Sequence, residues 1–185
     1  MSYDISQDIK EVYYSKEQLA EKVAILGKQI SEDYKDKNLL LVSVLKGSVI
    51  FMSDIMRAIT IPCEIDFMSV SSYGNKTSNT SGSVRIIKDL DRDIEGYDLL
   101  IVEDILDSGR TLSYIMKILE ARKPRSIRIC TLLDKPERRE AMVHAHYSGF
   151  EVPNEFVVGY GLDFAQKYRN LPYIGVLKEE IYAEK

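Results

Sequence analysis

Within nine residues the chain places three carboxylates, Glu103, Asp104 and Asp107, beside the segment Ser108-Gly109-Arg110-Thr111. Acids of this kind hold sugar hydroxyls or a divalent cation, and small residues let backbone N–H groups converge on an anion. Together they point to a ligand that carries phosphate, with a cation or hydroxyls between it and the acids. Such a site needs a strand that stops and a helix that starts. Leu99 to Val102 is a short apolar run of the kind buried on both faces of a sheet, and Leu112, Ile115, Met116 and Leu119 recur at the spacing of one helix face. The three acids and the small residues are therefore expected in the turn between them. Without a ligand, the same pattern would be only a capped helix with acids at its positive end.

A second strand, tight turn and helix is expected at Leu39 to Leu45, Lys46-Gly47-Ser48, and the run carrying Met52, Ile55, Met56 and Ile59. Parallel strands joined through helices put both turns at the carboxyl edge of one sheet, so Lys46-Gly47 should face the crevice of Asp107. A lysine next to a glycine there offers an ammonium and an exposed amide to an anion. Upstream, Ser15-Lys16-Glu17-Gln18 has the form of a capping box, and Leu19, Val23, Leu26 and Ile30 continue it as an amphipathic helix from about Lys16 to Tyr34. Ile65 to Val70 and Val84 to Ile87 read as strands. Ser71 to Gly82 between them has almost nothing apolar to pack on a core, and is expected to be a mobile loop that acts as a lid. Pro124 ends the helix after the acidic turn, and Ser126 to Leu133 is another β-rich run. Glu137-Arg138-Arg139-Glu140 reads as a solvated mixed-charge face.

The whole chain narrows the partners. Its 185 residues suit one domain, and 25 Lys plus Arg against 29 Asp plus Glu leave a net charge of −4 without a basic stripe, so no nucleic-acid partner is expected. The first ten residues have neither a basic leader nor an apolar core, and Leu39 to Leu45 is far too short to span a bilayer. A cytoplasmic protein without membrane contact is expected. Cys63 and Cys130 sit in apolar runs as buried free thiols, and His144 and His146 lack a third ligand nearby, so neither pair reads as a metal site.

A Walker loop and a dinucleotide fingerprint both need glycines that this turn, with Gly109 alone, does not have. The ten residues Val102 to Thr111 instead resemble, position by position, the phosphoribosyl pyrophosphate (PRPP) motif of the type I phosphoribosyltransferases. Leu45-Lys46-Gly47 is similar to their pyrophosphate loop, which often carries a cis peptide before the lysine. Leu132-Leu133-Asp134-Lys135 resembles the base-selecting strand of the hypoxanthine-guanine phosphoribosyltransferases, and Phe156 to Asp163 with Arg169-Asn170-Leu171-Pro172-Tyr173 resembles their hood segment. Asp134 and Arg138-Arg139 are closer to the bacterial branch.

The resemblance implies an α/β fold in one domain, 1–185: a mostly parallel central sheet flanked by helices, with a small hood from about 1–15 and 151–185 and a flexible loop 71–82 that carries Ser72 and Tyr73. It implies transfer of phosphoribose from PRPP to hypoxanthine or guanine, giving IMP or GMP and pyrophosphate. Lys46, Gly47, Glu103, Asp104, Asp107, Ser108, Gly109, Arg110, Thr111 and Arg169 would bind PRPP, with Asp107 as general base at purine N7. Lys135, Phe156, Val157 and Asp163 would bind the purine, and Glu103, Asp104 and Asp163 would serve Mg²⁺. A homodimer or homotetramer is implied. A transferase for xanthine or another base, and a PRPP-sensing regulator of the same fold, are the alternatives.

Overall fold

Ser15 accepts the Gln18 N–H at 3.3 Å while the Gln18 side chain accepts the Ser15 N–H at 2.8 Å, so the expected capping box starts the first long helix. The structure, a computed structural model, describes residues 4–73 and 83–183. Its elements run β1 (Ile9–Tyr14), α1 (Lys16–Asp33), β2 (Leu39–Leu45), α2 (Val49–Ala58), β3 (Cys63–Tyr73), β4 (Ser83–Lys88), β5 (Asp98–Leu106), α3 (Arg110–Glu120), β6 (Ser126–Asp134), β7 (Tyr147–Glu151), β8 (Val157–Val158), β9 (Ile174–Leu177) and α4 (Glu179–Tyr182).

Six strands form the main sheet in the order β4-β3-β2-β5-β6-β7, parallel except for β4, which is antiparallel to β3. The apolar runs of β2 and β5 are buried on both faces, as continuous apolar strands must be. Leu39, Leu41, Leu100 and Val102 pack with α1 and α2 on one side, while Leu40, Val42, Leu99 and Ile101 pack with Leu112, Ile115 and Leu119 of α3 on the other. Burying a side chain of this size contributes about 1.5–3 kcal/mol, so this double layer is the main store of stability. No helix among the described residues is long and apolar enough to cross a membrane.

β2 leads through α2 outward to β3, and β5 leads through α3 outward to β6 in the opposite direction. The strand order therefore reverses between β2 and β5, where α/β sheets open a ligand crevice at their carboxyl edge. The ladder between β2 and β5 ends at Ser43 and Val102, whereas β5 stays paired with β6 as far as Leu106 and Asp134. This corrects one expectation: Glu103 and Asp104 lie on β5, and only Asp107 lies in the turn. Pairing with β6 holds these acids in extended backbone, while their edge toward β2 is bare.

A second, antiparallel sheet, β1-β9-β8, stands over this edge and joins the first residues of the chain to its last. Tyr168 donates to the buried Asp8 carboxylate at 2.6 Å, and Lys178 N–H donates to Asp8 O at 2.9 Å. Tyr14 ties it to the main sheet by stacking on Phe150 at 3.9 Å.

Cys130 is buried, but Cys63 is only partly so, because it starts β3 at the rim of the sheet. His146 is a backbone partner: its Nδ1 accepts the Ile129 N–H at 3.2 Å. The expected lid falls, from residue 74 to 82, outside the described residues; Ser72 and Tyr73 end β3.

Candidate active site

The Lys46 turn and the Asp107 turn follow the carboxyl ends of the neighbouring strands β2 and β5. The Leu45–Lys46 peptide is cis. Gly47 lies directly against the Asp104 carboxylate, so that a Cβ there would overlap it. Lys46 is exposed and makes no salt bridge among the described residues. Gly109 precedes α3 as its N-cap with φ of 75°, a conformation that favours glycine. Gly47→Ala is expected to lower stability by about 1–3 kcal/mol through overpacking, as the turn is pushed off Asp104. Chemical denaturation checks this; an unchanged midpoint would show that the turn has room.

Two hollows adjoin at the Asp107 turn. The larger, of about 580 Å³, lies between the two sheets and is lined by Asp107, Lys135, Arg138, Phe156, Val157 and Tyr182 among others. The smaller, of about 160 Å³, is lined by Glu103, Ser108, Gly109 and Thr111. Ile105 and Asp107 line both, so Asp107 stands at their junction. The first is in the size range of small-molecule sites, and the second has room for a group such as phosphate.

In the larger hollow Lys135 is buried, and its ammonium donates to Glu155 O at 2.7 Å. Burial lowers its pKa, the Asp107 charge opposes this, and Arg138 adds to it. An ammonium has three donors, so one bond to Glu155 leaves others for an acceptor in the hollow. Phe156 keeps 40% of its surface exposed, and Tyr182 stacks against its ring at 5.3 Å with Phe164 edge-on at 5.5 Å. Val157 is buried in β8. Tyr182 and Lys10, also in the lining, escaped sequence reasoning because only the second sheet brings the chain ends here.

The acids divide between two places. Glu103 and Asp104 are consecutive on a strand and point to opposite sides, Glu103 toward the small hollow and Asp104 toward Gly47. Asp163 pairs with Arg169 at 2.6 Å and accepts the Gln166 N–H at 2.9 Å, and Arg169 also donates to Gly161 O at 2.8 Å. Burial raises the Glu103 carboxyl well above its ordinary range, with Asp104 adding to it. Asp104 itself is raised to about 6, by burial against the Ile105 N–H and Arg169, with Asp163 adding to the rise. No group of three His, Cys, Asp or Glu among the described residues forms a cage for a cation. The donor set fits Mg²⁺ nonetheless, because that ion commonly takes one or two carboxylates plus water and substrate oxygens.

A carboxyl raised by folding favours the protonated native state. For Asp104 stability should thus be greatest below its ordinary value near 3.8, fall as pH rises toward about 6, and level off above, by roughly 2–3 kcal/mol in all. Urea unfolding of the ligand-free protein against Asp104→Asn checks this: the variant should gain on the parent as pH rises from 4 to 7 (about one to two pH steps either side of the transition). Parallel pH curves would refute it.

Glu137, Arg138 and Glu140 are exposed, as a solvated mixed-charge face should be, whereas Arg139 departs from that expectation and turns inward. Arg138 Nε lies 2.8 Å from Asp107 Oδ1, a close ion pair not aligned as a directed hydrogen bond. Its Nη1 donates to Asn154 at 2.9 Å. Arg139 bonds the Asp134 carboxylate and donates to Asp107 O at 2.6 Å. Arg110 turns its side chain outward to pair with Glu140, so it can serve the small hollow only by its backbone. Except for Arg139 and Asp134, these partners lie 16 or more positions apart, and only the fold shows them.

A model of the phosphoribosyl transferase domain matches residues 11–165. The chain is 53% identical to the hypoxanthine-guanine phosphoribosyltransferase of Mycobacterium avium, over 96% of its own length and 90% of that protein. It is 55% identical to the bifunctional protein TilS/HprT of Listeria innocua, where it covers 96% of its own length but spans only 27% of the relative. A crystal structure of a hypoxanthine phosphoribosyltransferase from Staphylococcus aureus superposes with a TM-score of 0.94 at 49% identity, covering 100% of both chains.

Proposed function

The chain belongs to the phosphoribosyl transferase family, and from that premise we propose that it transfers 5-phosphoribose from PRPP to N9 of hypoxanthine or guanine, giving IMP or GMP and pyrophosphate. The observation that carries this reading is the shared wall at Ile105 and Asp107: a base-sized hollow and a phosphate-sized one adjoin there, as the two ends of a purine nucleotide require.

Each element then has a task. The amides of residues 108–111 at the start of α3, with the Ser108 and Thr111 hydroxyls, hold the 5-phosphate. Glu103 and Asp104 take the ribose hydroxyls. Lys46, the Gly47 amide and Arg169 hold the pyrophosphate, Arg169 by sharing a guanidinium now paired with Asp163. Displacement at an anomeric carbon passes through an oxocarbenium-like transition state, so fixing the leaving group and the attacking base in line supplies much of the rate. Asp107, at the junction, accepts the proton from purine N7 as N9 attacks. Lys135 donates to O6, which an adenine amino group could not accept; Phe156 stacks on the ring, and backbone groups of Val157 and Asp163 read the far edge.

The family works with a divalent cation. Mg²⁺ would neutralise charge on the PRPP oxygens, with Glu103 and Asp104 offering carboxylates from the two sides of β5 and Asp163 serving a second ion through water. A single domain with its hood over the carboxyl edge, a homodimeric or homotetrameric state and a cytoplasmic setting belong to the same reading and rest on the family likeness.

Microscopic reversibility gives a direct test. With IMP, inorganic pyrophosphate and Mg²⁺ the protein should release hypoxanthine, seen by chromatography. IMP left intact would reject the transferase reading and favour a PRPP-sensing regulator.

A further inference from the structure

The amides that a turn can offer to an anion depend on where its carbonyls point, because the N–H and C=O of one peptide plane are directed oppositely. In the Asp107 turn both relevant carbonyls are held from outside. The carbonyl of the Asp107–Ser108 peptide accepts Arg139 Nη1 at 2.6 Å. The carbonyl of the Ser108–Gly109 peptide accepts the Glu140 and Ala141 N–H groups at 3.0 and 3.1 Å. The N–H groups of Ser108 and Gly109 are thereby directed the other way, toward the small hollow that both residues line. Among the described residues neither N–H has a protein acceptor.

We propose that Arg139 is a positioning residue for this turn: it fixes the Asp107–Ser108 peptide so that the Ser108 N–H faces the 5-phosphate. Three observations support the assignment. The Arg139 side chain is only 15% exposed. Its other guanidinium nitrogen is anchored on the Asp134 carboxylate at the end of β6. Its stem lies against Gly109, where an added Cβ would come within 3.3 Å of Arg139 Cδ. A planar guanidinium can grip a carboxylate and a carbonyl at once in fixed directions, which a flexible ammonium cannot. The proposal rests on the phosphoribosyl reading of the site, and it gives Arg139 a role toward phosphate rather than toward the base.

Calorimetry with IMP, together with steady-state kinetics, tests it. Arg139→Met should weaken IMP and raise the KM for PRPP by about tenfold, the effect of losing one oriented charged hydrogen bond, while the KM for hypoxanthine at saturating PRPP stays within about twofold. Arg139→Lys keeps the charge without the two-pronged grip and should recover only part of the loss. If Arg139→Met does not fold, Asp134→Asn, which loosens the anchor alone, should move the same two quantities in the same direction by about threefold. Unchanged IMP affinity, an equal rise in both KM values, or full recovery with lysine would overturn the proposal. A wild-type protein that binds no IMP would instead remove the phosphoribosyl reading, and the proposal with it.

Discussion

Asp107→Asn is expected to lower turnover by about 10²- to 10⁴-fold, the usual contribution of a general base, with the KM for PRPP changed by no more than about threefold. The amide keeps the shape of the carboxylate, and the turn is held through its main chain by Arg139 and by the amides of Glu140 and Ala141, none of which needs the Asp107 side chain. In the proposed mechanism, what is lost is the acceptor for the N7 proton. Arg138, which faces that carboxylate at 2.8 Å, would be left without its partner, so part of any loss could come from a displaced arginine. Arg138→Gln in the same assay separates the two causes: it should cost far less than Asp107→Asn. Turnover of Asp107→Asn within about tenfold of wild type would show that the proton leaves by another route.

Lys135→Ala should fail in a different quantity. Removing a charged donor from a buried acceptor costs about 1.5–3 kcal/mol, so affinity for hypoxanthine and guanine should fall about 10- to 150-fold, while PRPP binding barely changes. The same ammonium also holds Glu155 O at 2.7 Å next to Phe156, so some loss of thermal stability accompanies the change. Base affinity measured with the PRPP site saturated, beside PRPP affinity measured alone, keeps these apart. Equal loss for both ligands would mean that the wall of the hollow has collapsed, and no loss for either would withdraw Lys135 from base selection.

Much of this architecture is legible in the sequence where the signal is local. The apolar runs of β2 and β5, the capping box at Ser15 and the α3 stripe of Leu112, Ile115 and Leu119 all take the predicted form, because burial on both faces, capping and helical spacing act over a few residues. The end of β5 did not follow that logic. Two acids in succession read as turn, yet β6 pairs with the strand as far as Leu106, and a neighbouring strand cannot be seen from a local window. Long-range pairing also explains why Arg139, unlike its exposed neighbours, departs from the expected solvated face. Arg139 meets the Asp107 carbonyl across 32 positions, and a run of mixed charge contains nothing that distinguishes a solvated arginine from one turned inward to a carbonyl. Tyr182 reaches Phe156 only because the antiparallel second sheet carries the end of the chain back over the main one.

The base-sized hollow, the buried Lys135 and the junction at Asp107 together make one claim: this site joins a 6-oxopurine to phosphoribose. The most direct measurement is pyrophosphate release with PRPP and Mg²⁺, run in parallel with hypoxanthine, guanine, xanthine and adenine, with the nucleotide identified by mass. Hypoxanthine and guanine should be converted to IMP and GMP, with adenine at least about 10²-fold poorer because it offers Lys135 no acceptor at C6. Adenine converted as readily as hypoxanthine, or release of pyrophosphate with none of the four bases, would contradict it.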